Sequence, residues 1–121
     1  ILLIFVNYLK LLKTLKKDVM INPNFVTVRY FRRDFVSVWV WIHILQNYFD
    51  NNKIVNIQKL IQEIPYEVAS RPTIYKIIDA AVAKKYFLKI VDEKDKRKYN
   101  LFPSTQVINE FKEWAKLFKG F

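Results

Sequence analysis

Cysteine is absent from the 121 residues, and glycine occurs once, at position 120. The first absence excludes a disulfide framework, thiolate metal sites and a Cys nucleophile, and it fits a reducing compartment, so a cytoplasmic setting is the expectation. The second excludes phosphate-cradling loops of the GxxxxGK or GxGxxG kind, whose backbones need several glycines to approach a phosphate. No nucleotide or other cofactor is expected. Long apolar runs are missing too: the longest candidates are residues 1–6 and 35–45, the latter interrupted by Ser37 and His43, against roughly 18 residues for a membrane span. Lys10, Lys13, Lys16 and Lys17 follow the first run instead of preceding it, which is the wrong order for a signal peptide. The chain opens on Ile1, not Met, so an unusual start codon or trimmed or missing first residues are expected.

Acidic residues are the other scarcity. Eleven Asp and Glu stand against 21 Lys and Arg, leaving +10. The excess is spread along the chain, and it should attract polyanions, nucleic acid first and an anionic membrane surface second. Apolar residues make up 52% and aromatic rings 17%, too many for a disordered basic tail and enough for a real core. The length suits one domain over 1–121.

Residues 1–17 place Asn7, Lys10, Lys13, Thr14 and Lys17 at steps of three and four, one wet stripe on an otherwise apolar helix. Such a face predicts burial in its own domain or against a partner subunit. Asn22, Pro23 and Asn24 break the pattern, and 25–33 reads equally as a strand or as helical turns. Residues 34–49 carry Phe35, Trp39, Ile42, Leu45 and Phe49 at helical period, ended by Asp50, Asn51 and Asn52. These N-terminal helices, 1–50, precede a core at 53–103 and a C-terminal helix at 104–119.

In the core, 53–55 is a short extended candidate, and Asn56 caps a short helix bearing Ile57, Leu60, Ile61 and Ile64. Pro65 stops it. After a connector, Ser70 caps a second helix, 70–85, with Pro72 in the first turn, where its missing donor costs little. Ile74, Ile77, Ile78, Ala81 and Val82 form its inner stripe, leaving Arg71, Thr73, Tyr75, Lys76, Asp79 and Lys84 outside. Strand candidates at 87–91 and 98–102 flank the charged segment 92–97, a hairpin with a solvated tip. Pro103 ends the second strand. Ser104 or Thr105 caps the last helix, whose apolar side is Val107, Phe111, Trp114 and Phe118, with Gly120 as its stop.

Short helix, turn, capped helix with a basic outer face, then a charged hairpin is the order of a winged helix-turn-helix. The fold class expected is mainly α with a small β-hairpin wing and extra N- and C-terminal helices. A helix N-terminus bearing Arg, Thr and Lys suits the major groove, where base edges differ. The hairpin tip reaches phosphates or the minor groove. The candidate DNA-binding residues are Ser70, Arg71, Thr73, Tyr75 and Lys76 on the helix, with Lys94, Lys96, Arg97 and Lys98 on the wing. Asp95, two residues before Arg97, is placed to brace the guanidinium.

The run Ser70, Arg71, Pro72, Thr73, Ile74, Tyr75, Lys76, Ile77, Ile78, Asp79 resembles the recognition helix of MarR-like winged-helix regulators. Asp95, Lys96 and Arg97 between two short strands resemble that family's Asp-x-Arg wing signature. The resemblance covers about 54–105 and implies a homodimeric transcription regulator on pseudo-palindromic double-stranded DNA, paired through its N- and C-terminal helices, with a small-molecule effector as a further possible partner. Three features depart from the family: a connector at 65–69 longer than the usual tight turn, Lys85 or Tyr86 where glycine is common, and a short chain whose first fifty residues match no motif.

Other readings are weaker. His43, the only histidine, has no visible catalytic or metal-binding companions and is read as structural, or as part of a pocket with Trp39 and Trp41. Asp92, Glu93 and Asp95 lie in a solvated tip that suits no acid/base chemistry. No metal site and no enzyme activity are expected. Rival functions are a protein–protein winged helix, a phage- or plasmid-type replication initiator, and a membrane-surface protein anchored by its first helix.

Overall fold

The computed structural model describes residues 7–20 and 25–118. The first apolar run, the 22–24 break and Gly120 lie outside them. Asn7 caps α1 (Tyr8–Val19), accepting a hydrogen bond from the Lys10 amide at 3.0 Å. The ambiguous 25–33 stretch is helical, as α2 (Val26–Phe31). Three β-branched residues in its six lower the intrinsic preference, so tertiary contacts decide it. Glu110, on the last helix, accepts from the Thr27 amide at 2.8 Å and its hydroxyl at 2.9 Å. That carboxylate stands at the positive end of α2, where no side chain of Phe25 caps. Phe31 drives inward, stacking on Phe87 at 4.9 Å and Trp41 at 6.2 Å.

Asp34 caps α3 (Phe35–Phe49) through the Ser37 amide and hydroxyl. Its carboxyl lies below the usual range: partial burial raises it, but the Ser37 hydrogen bonds and Arg33 outweigh that. Asn51 and Asn52 both take left-handed conformations, φ 65° and 57°, which asparagine tolerates better than most residues. They turn the chain into β1 (Val55–Asn56), one residue beyond the expected extended segment, and Asn56 caps α4 (Ile57–Glu63).

Residues 65–69 are more ordered than a long loop. The amides of Val68 and Ala69 both donate to the Pro65 carbonyl, at 2.9 and 3.3 Å, closing one helical turn before α5 (Arg71–Ala83). β2 (Phe87–Val91) and β3 (Tyr99–Pro103) form the hairpin, and β1 pairs on the far side of β3, giving an antiparallel sheet ordered β1-β3-β2. The second strand therefore starts one residue later than expected and includes Pro103, opposite Phe87. Terminal position explains the tolerance: a missing N–H matters little at a strand end.

Ser104 caps α6 (Thr105–Ala115), which runs into a 3-10 turn at Lys116–Phe118. One apolar core runs from α2 through α3, β1, α4, α5 and the sheet to α6, centred on Phe31, Ile44, Leu60, Ile74, Ile78, Phe87 and Leu101. Each fully buried Phe or Leu contributes about 1.5–3 kcal/mol.

Of the two placements expected for the apolar face of α1, burial in its own domain does not occur: Tyr8, Leu9, Leu12, Val19 and Met20 are exposed. The buried residue of this helix is Asp18. Its carboxylate takes a two-pronged ion pair from Arg32, at 2.7 and 2.6 Å, and a third hydrogen bond from the Trp114 indole at 2.7 Å. Burial pushes this carboxyl up, but the Arg32 and Trp114 hydrogen bonds and the Arg32 charge together hold it below its ordinary value. The fastening of the C-terminal end of α1 is polar, and the helix also packs on the 3-10 turn at Lys116–Phe118.

No helix among the described residues is long and apolar enough to cross a membrane. Nor do the described residues contain a group of three His, Cys, Asp or Glu placed to hold a metal ion.

Candidate nucleic-acid interface

Helix α5 is positioned by its inner stripe. Ile74, Ile77, Ile78 and Ala81 are buried, which turns Arg71, Thr73, Tyr75, Lys76 and Asp79 outward, as their spacing requires. At the N-terminus the Ser70 hydroxyl accepts from the Thr73 amide at 3.4 Å and lies 2.9 Å from the Thr73 hydroxyl. These two candidate residues hold each other, and their work in the free protein is capping. Arg71 and Tyr75, one turn apart, line a cleft of about 280 Å³ together with Gln58, Ile61 and Gln62 of α4. Lys76 is exposed and makes no ion pair among the described residues.

Gln58 and Gln62 did not emerge from the motif. Their signal was present in the sequence, because they are the outward i, i+4 pair of a helix whose Ile57, Leu60 and Ile61 face in. Amide side chains beside an exposed guanidinium and a phenol offer donors and acceptors suited to phosphate oxygens and base edges.

At the far end of α5 the chain reverses without glycine. Lys85 adopts φ 64°. Its amide donates to the Val82 carbonyl and that of Tyr86 to the Ala81 carbonyl, each at 2.9 Å. This is the paired bonding of a Schellman cap with lysine in the left-handed position. Tyr86 then packs edge-on against Tyr30 at 5.1 Å, and Phe87 enters the core.

The wing tip is a hydrogen-bonded turn. Asp92 Oδ1 accepts from the amides of Lys94 and Asp95 at 2.8 and 3.2 Å. The Asp92 amide donates to the Lys98 carbonyl and the Lys98 amide to the Asp95 carbonyl, both at 2.9 Å. Asp95 then grips Arg97 three times: its Oδ1 accepts from the amide at 3.0 Å and from Nε at 3.1 Å, and its Oδ2 from the terminal nitrogen at 3.3 Å. The expected brace is present, while the Arg97 side chain stays 90% exposed. Both carboxyls sit below their ordinary value, Asp92 chiefly through the Lys94 and Asp95 amides, Asp95 chiefly through the Arg97 side chain and amide. Lys98 lowers both further. Lys94 and Lys96 are exposed. On the strands, the Lys89 ammonium lies 4.4 Å from the centre of the Tyr99 ring, joining neighbouring strands.

The site residues thus form two groups, one on α5 with α4 and one on the wing. Among the described residues no hydrogen bond or ion pair links them, and α5 packing on β2 fixes their separation. All the cations named here are presented to solvent. Asp92 and Asp95 are occupied in shaping the turn.

His43 and Trp39 stack at 4.8 Å on one side of α3, and His43 Nε2 stands 3.3 Å from Glu63. Trp41 faces another way, against Trp114 and Phe111. The expected joint pocket of these three side chains does not form, because positions two apart on a helix point to different sides. A separate apolar hollow of about 330 Å³ does lie between α3 and α6, lined by Trp41, Ile42, Leu45, Phe49, Phe111 and Trp114 among others.

Element for element, helix-turn-helix followed by a wing, with further helices at both ends, is the winged-helix order that the MarR-like resemblance implies. No protein-family model matches the sequence, and no curated protein matches it. Among solved structures the chain is similar to a mutant of MepR from a multidrug-resistant S. aureus clinical isolate, at 16% identity and a TM-score of 0.47, the likeness covering 88% of this chain and 63% of that one, so this chain spans less than two thirds of that structure's length.

Proposed function

We propose that this chain is a sequence-specific double-stranded DNA-binding protein, a transcription regulator built as one winged-helix domain. The observation that carries the reading is the pairing of a capped helix whose outer face is free and cationic with a wing tip that holds Arg97 outward on Asp95. Arg71, Thr73, Tyr75 and Lys76 meet base edges and phosphates in the major groove, and the Ser70 end of α5 presents its amide dipoles to the backbone. Arg97 enters the minor groove, and Lys94, Lys96 and Lys98 anchor phosphates. Gln58 and Gln62 of α4 contact the backbone beside Arg71. No step of this work needs a cofactor or a catalytic group, and a cytoplasmic site of action fits it.

The working unit is a homodimer. Tyr8, Leu12, Leu15 and Val19 follow one another at steps of four, three and four along α1, the spacing of a coiled-coil seam, and all four are exposed. A second copy's α1 covers them, with the α6 end alongside. The apolar hollow between α3 and α6 suits a small apolar effector.

Fluorescence anisotropy on duplex DNA at several salt concentrations tests the reading. Affinity falls steeply with salt, and Arg97→Ala and Lys76→Ala each weaken binding by about 1–3 kcal/mol. Undetectable binding at low salt refutes it. In that event the exposed apolar faces of the molecule favour a winged helix used for protein contact.

A further inference from the structure

The positive charge of this chain has a gap. Residues 34–43 and 62–69 contain three carboxylates, Asp34, Glu63 and Glu67, and no Lys or Arg, in a chain with 21 such cations; Asp34 is taken up by Ser37 and by Arg33, 3.5 Å away, which leaves Glu63 and Glu67 as the acidic rim. These two segments face each other. Phe35, Val36 and Trp39 from the start of α3, with Ile64, Pro65 and Val68 from the connector, line an apolar groove of about 290 Å³. Each of the three acids is a chain neighbour of a groove residue, and Glu63 is further tied to the groove through His43, which stacks on Trp39. The groove exists because the connector is long: the turn closed on the Pro65 carbonyl stands Val68 opposite Phe35. Phe35 is 92% exposed and Val68 60%. Apolar side chains held this far into water by an ordered turn are a recognisable docking feature.

We propose that this groove docks a short basic amphipathic segment of a partner protein, two apolar side chains entering between Phe35 and Val68 while flanking Lys or Arg residues pair with the acidic rim. The charge decides the occupant. Two carboxylates on segments without Lys or Arg make this groove a poorer seat for duplex DNA or an anionic lipid surface than for a cationic segment. A cationic segment meets complementary potential on a molecule that elsewhere repels it. The groove volume accommodates a pair of leucine-sized anchors at i and i+4, the helix-in-groove mode of recognition. The site lies outside the DNA-binding residues proposed above and does not rest on that reading.

The test uses the full chain, nitrogen-15 labelled, and a synthetic peptide with leucines at i and i+4 flanked by lysines, beside a counterpart with glutamate in place of every lysine. The lysine peptide shifts the Trp39 indole resonance and leaves those of Trp41 and Trp114 in place; the glutamate peptide shifts none. Glu63→Gln with Glu67→Gln weakens the lysine peptide by about fivefold to tenfold, the loss of two exposed ion pairs, and Phe35→Ser, at a solvent-facing position, removes binding. Asp34 is left intact because it caps α3. Overturning results are equal binding of both peptides, no shift at Trp39, variants without effect, or a Trp39 resonance that moves on dilution of the chain alone, which would assign the groove to a second copy. DNA affinity measured on Phe35→Ser stays at the parent value, so failure here is distinct from failure of the DNA reading.

Discussion

Replacing Lys85 with glycine should stabilise the protein. Lys85 sits at φ 64° in the position after the α5 cap, where a Cβ costs about 1–2 kcal/mol. Both hydrogen bonds of the cap run through backbone atoms, so they survive the substitution. Against the relief stands the larger entropy that glycine loses on folding, about 0.5–1 kcal/mol. The net gain is about 0.5–1 kcal/mol. For 121 residues the unfolding entropy is about 0.25 kcal/mol/K, so Tm rises by about 2–4 °C. Lys85→Ala is the control, since it removes the exposed charge but keeps the Cβ, and it should stay within about 0.5 kcal/mol of the parent. Lys85→Asn should fall between the two, because asparagine visits this region more readily. Urea denaturation of the four proteins gives the comparison. If glycine is no more stable than alanine, the left-handed backbone carries no penalty here and the argument fails.

Three further outcomes follow from named contacts. Asp18→Asn leaves the Arg32 guanidinium without its carboxylate and should cost about 2–3 kcal/mol, with hydrogen exchange across Tyr8–Val19 rising before the rest of the chain. Glu110→Ala strips the acceptor from the fully buried Thr27; a loss of about 2 kcal/mol by denaturant titration is expected, and a neutral result would mean that Thr27 finds water. The carboxyls of Asp18, Asp34, Asp92 and Asp95 are depressed below the ordinary aspartate value in the folded chain. Their contribution is therefore complete above the unfolded value and lost as pH falls through the folded ones. A urea midpoint that is flat from neutrality to about pH 5 and declines below pH 4 is the expected profile, and resonances of the 92–98 tip should broaden in the same acid range.

Much of the local structure of the candidate interface was legible because punctuation residues marked it. Asn56, Ser70 and Ser104 each announce a helix start, and all three accept the predicted amide hydrogen bond. Asp95 and Arg97 are two residues apart, so their pairing is a local event that sequence spacing reveals. What stayed hidden depended on distance along the chain. Val26–Phe31 is helical because Glu110, more than eighty residues away, caps it, and no periodicity within six residues could decide that. The apolar face of α1 suggested burial, yet its inward residue is Asp18, whose partners are 14 and 96 residues away. Pro103 read as a terminator and is the last residue of the strand instead, because the tolerance of a strand end is a property of the sheet.

The polar fastening of α1 bears on which DNA sites the proposed dimer would accept. A helix of 12 residues is about 18 Å long, and here its C-terminal end is held by one carboxylate between Arg32 and Trp114. Tilting such a rod by about 10° at that end displaces the other by about 3 Å, close to the rise of one base pair. In the proposed dimer paired along α1, the seating of Asp18, with the packing of α1 on the 3-10 turn, would act as a ruler: the angle at which they hold the helix would set the distance between the two copies of α5, and with it the half-site spacing that fits.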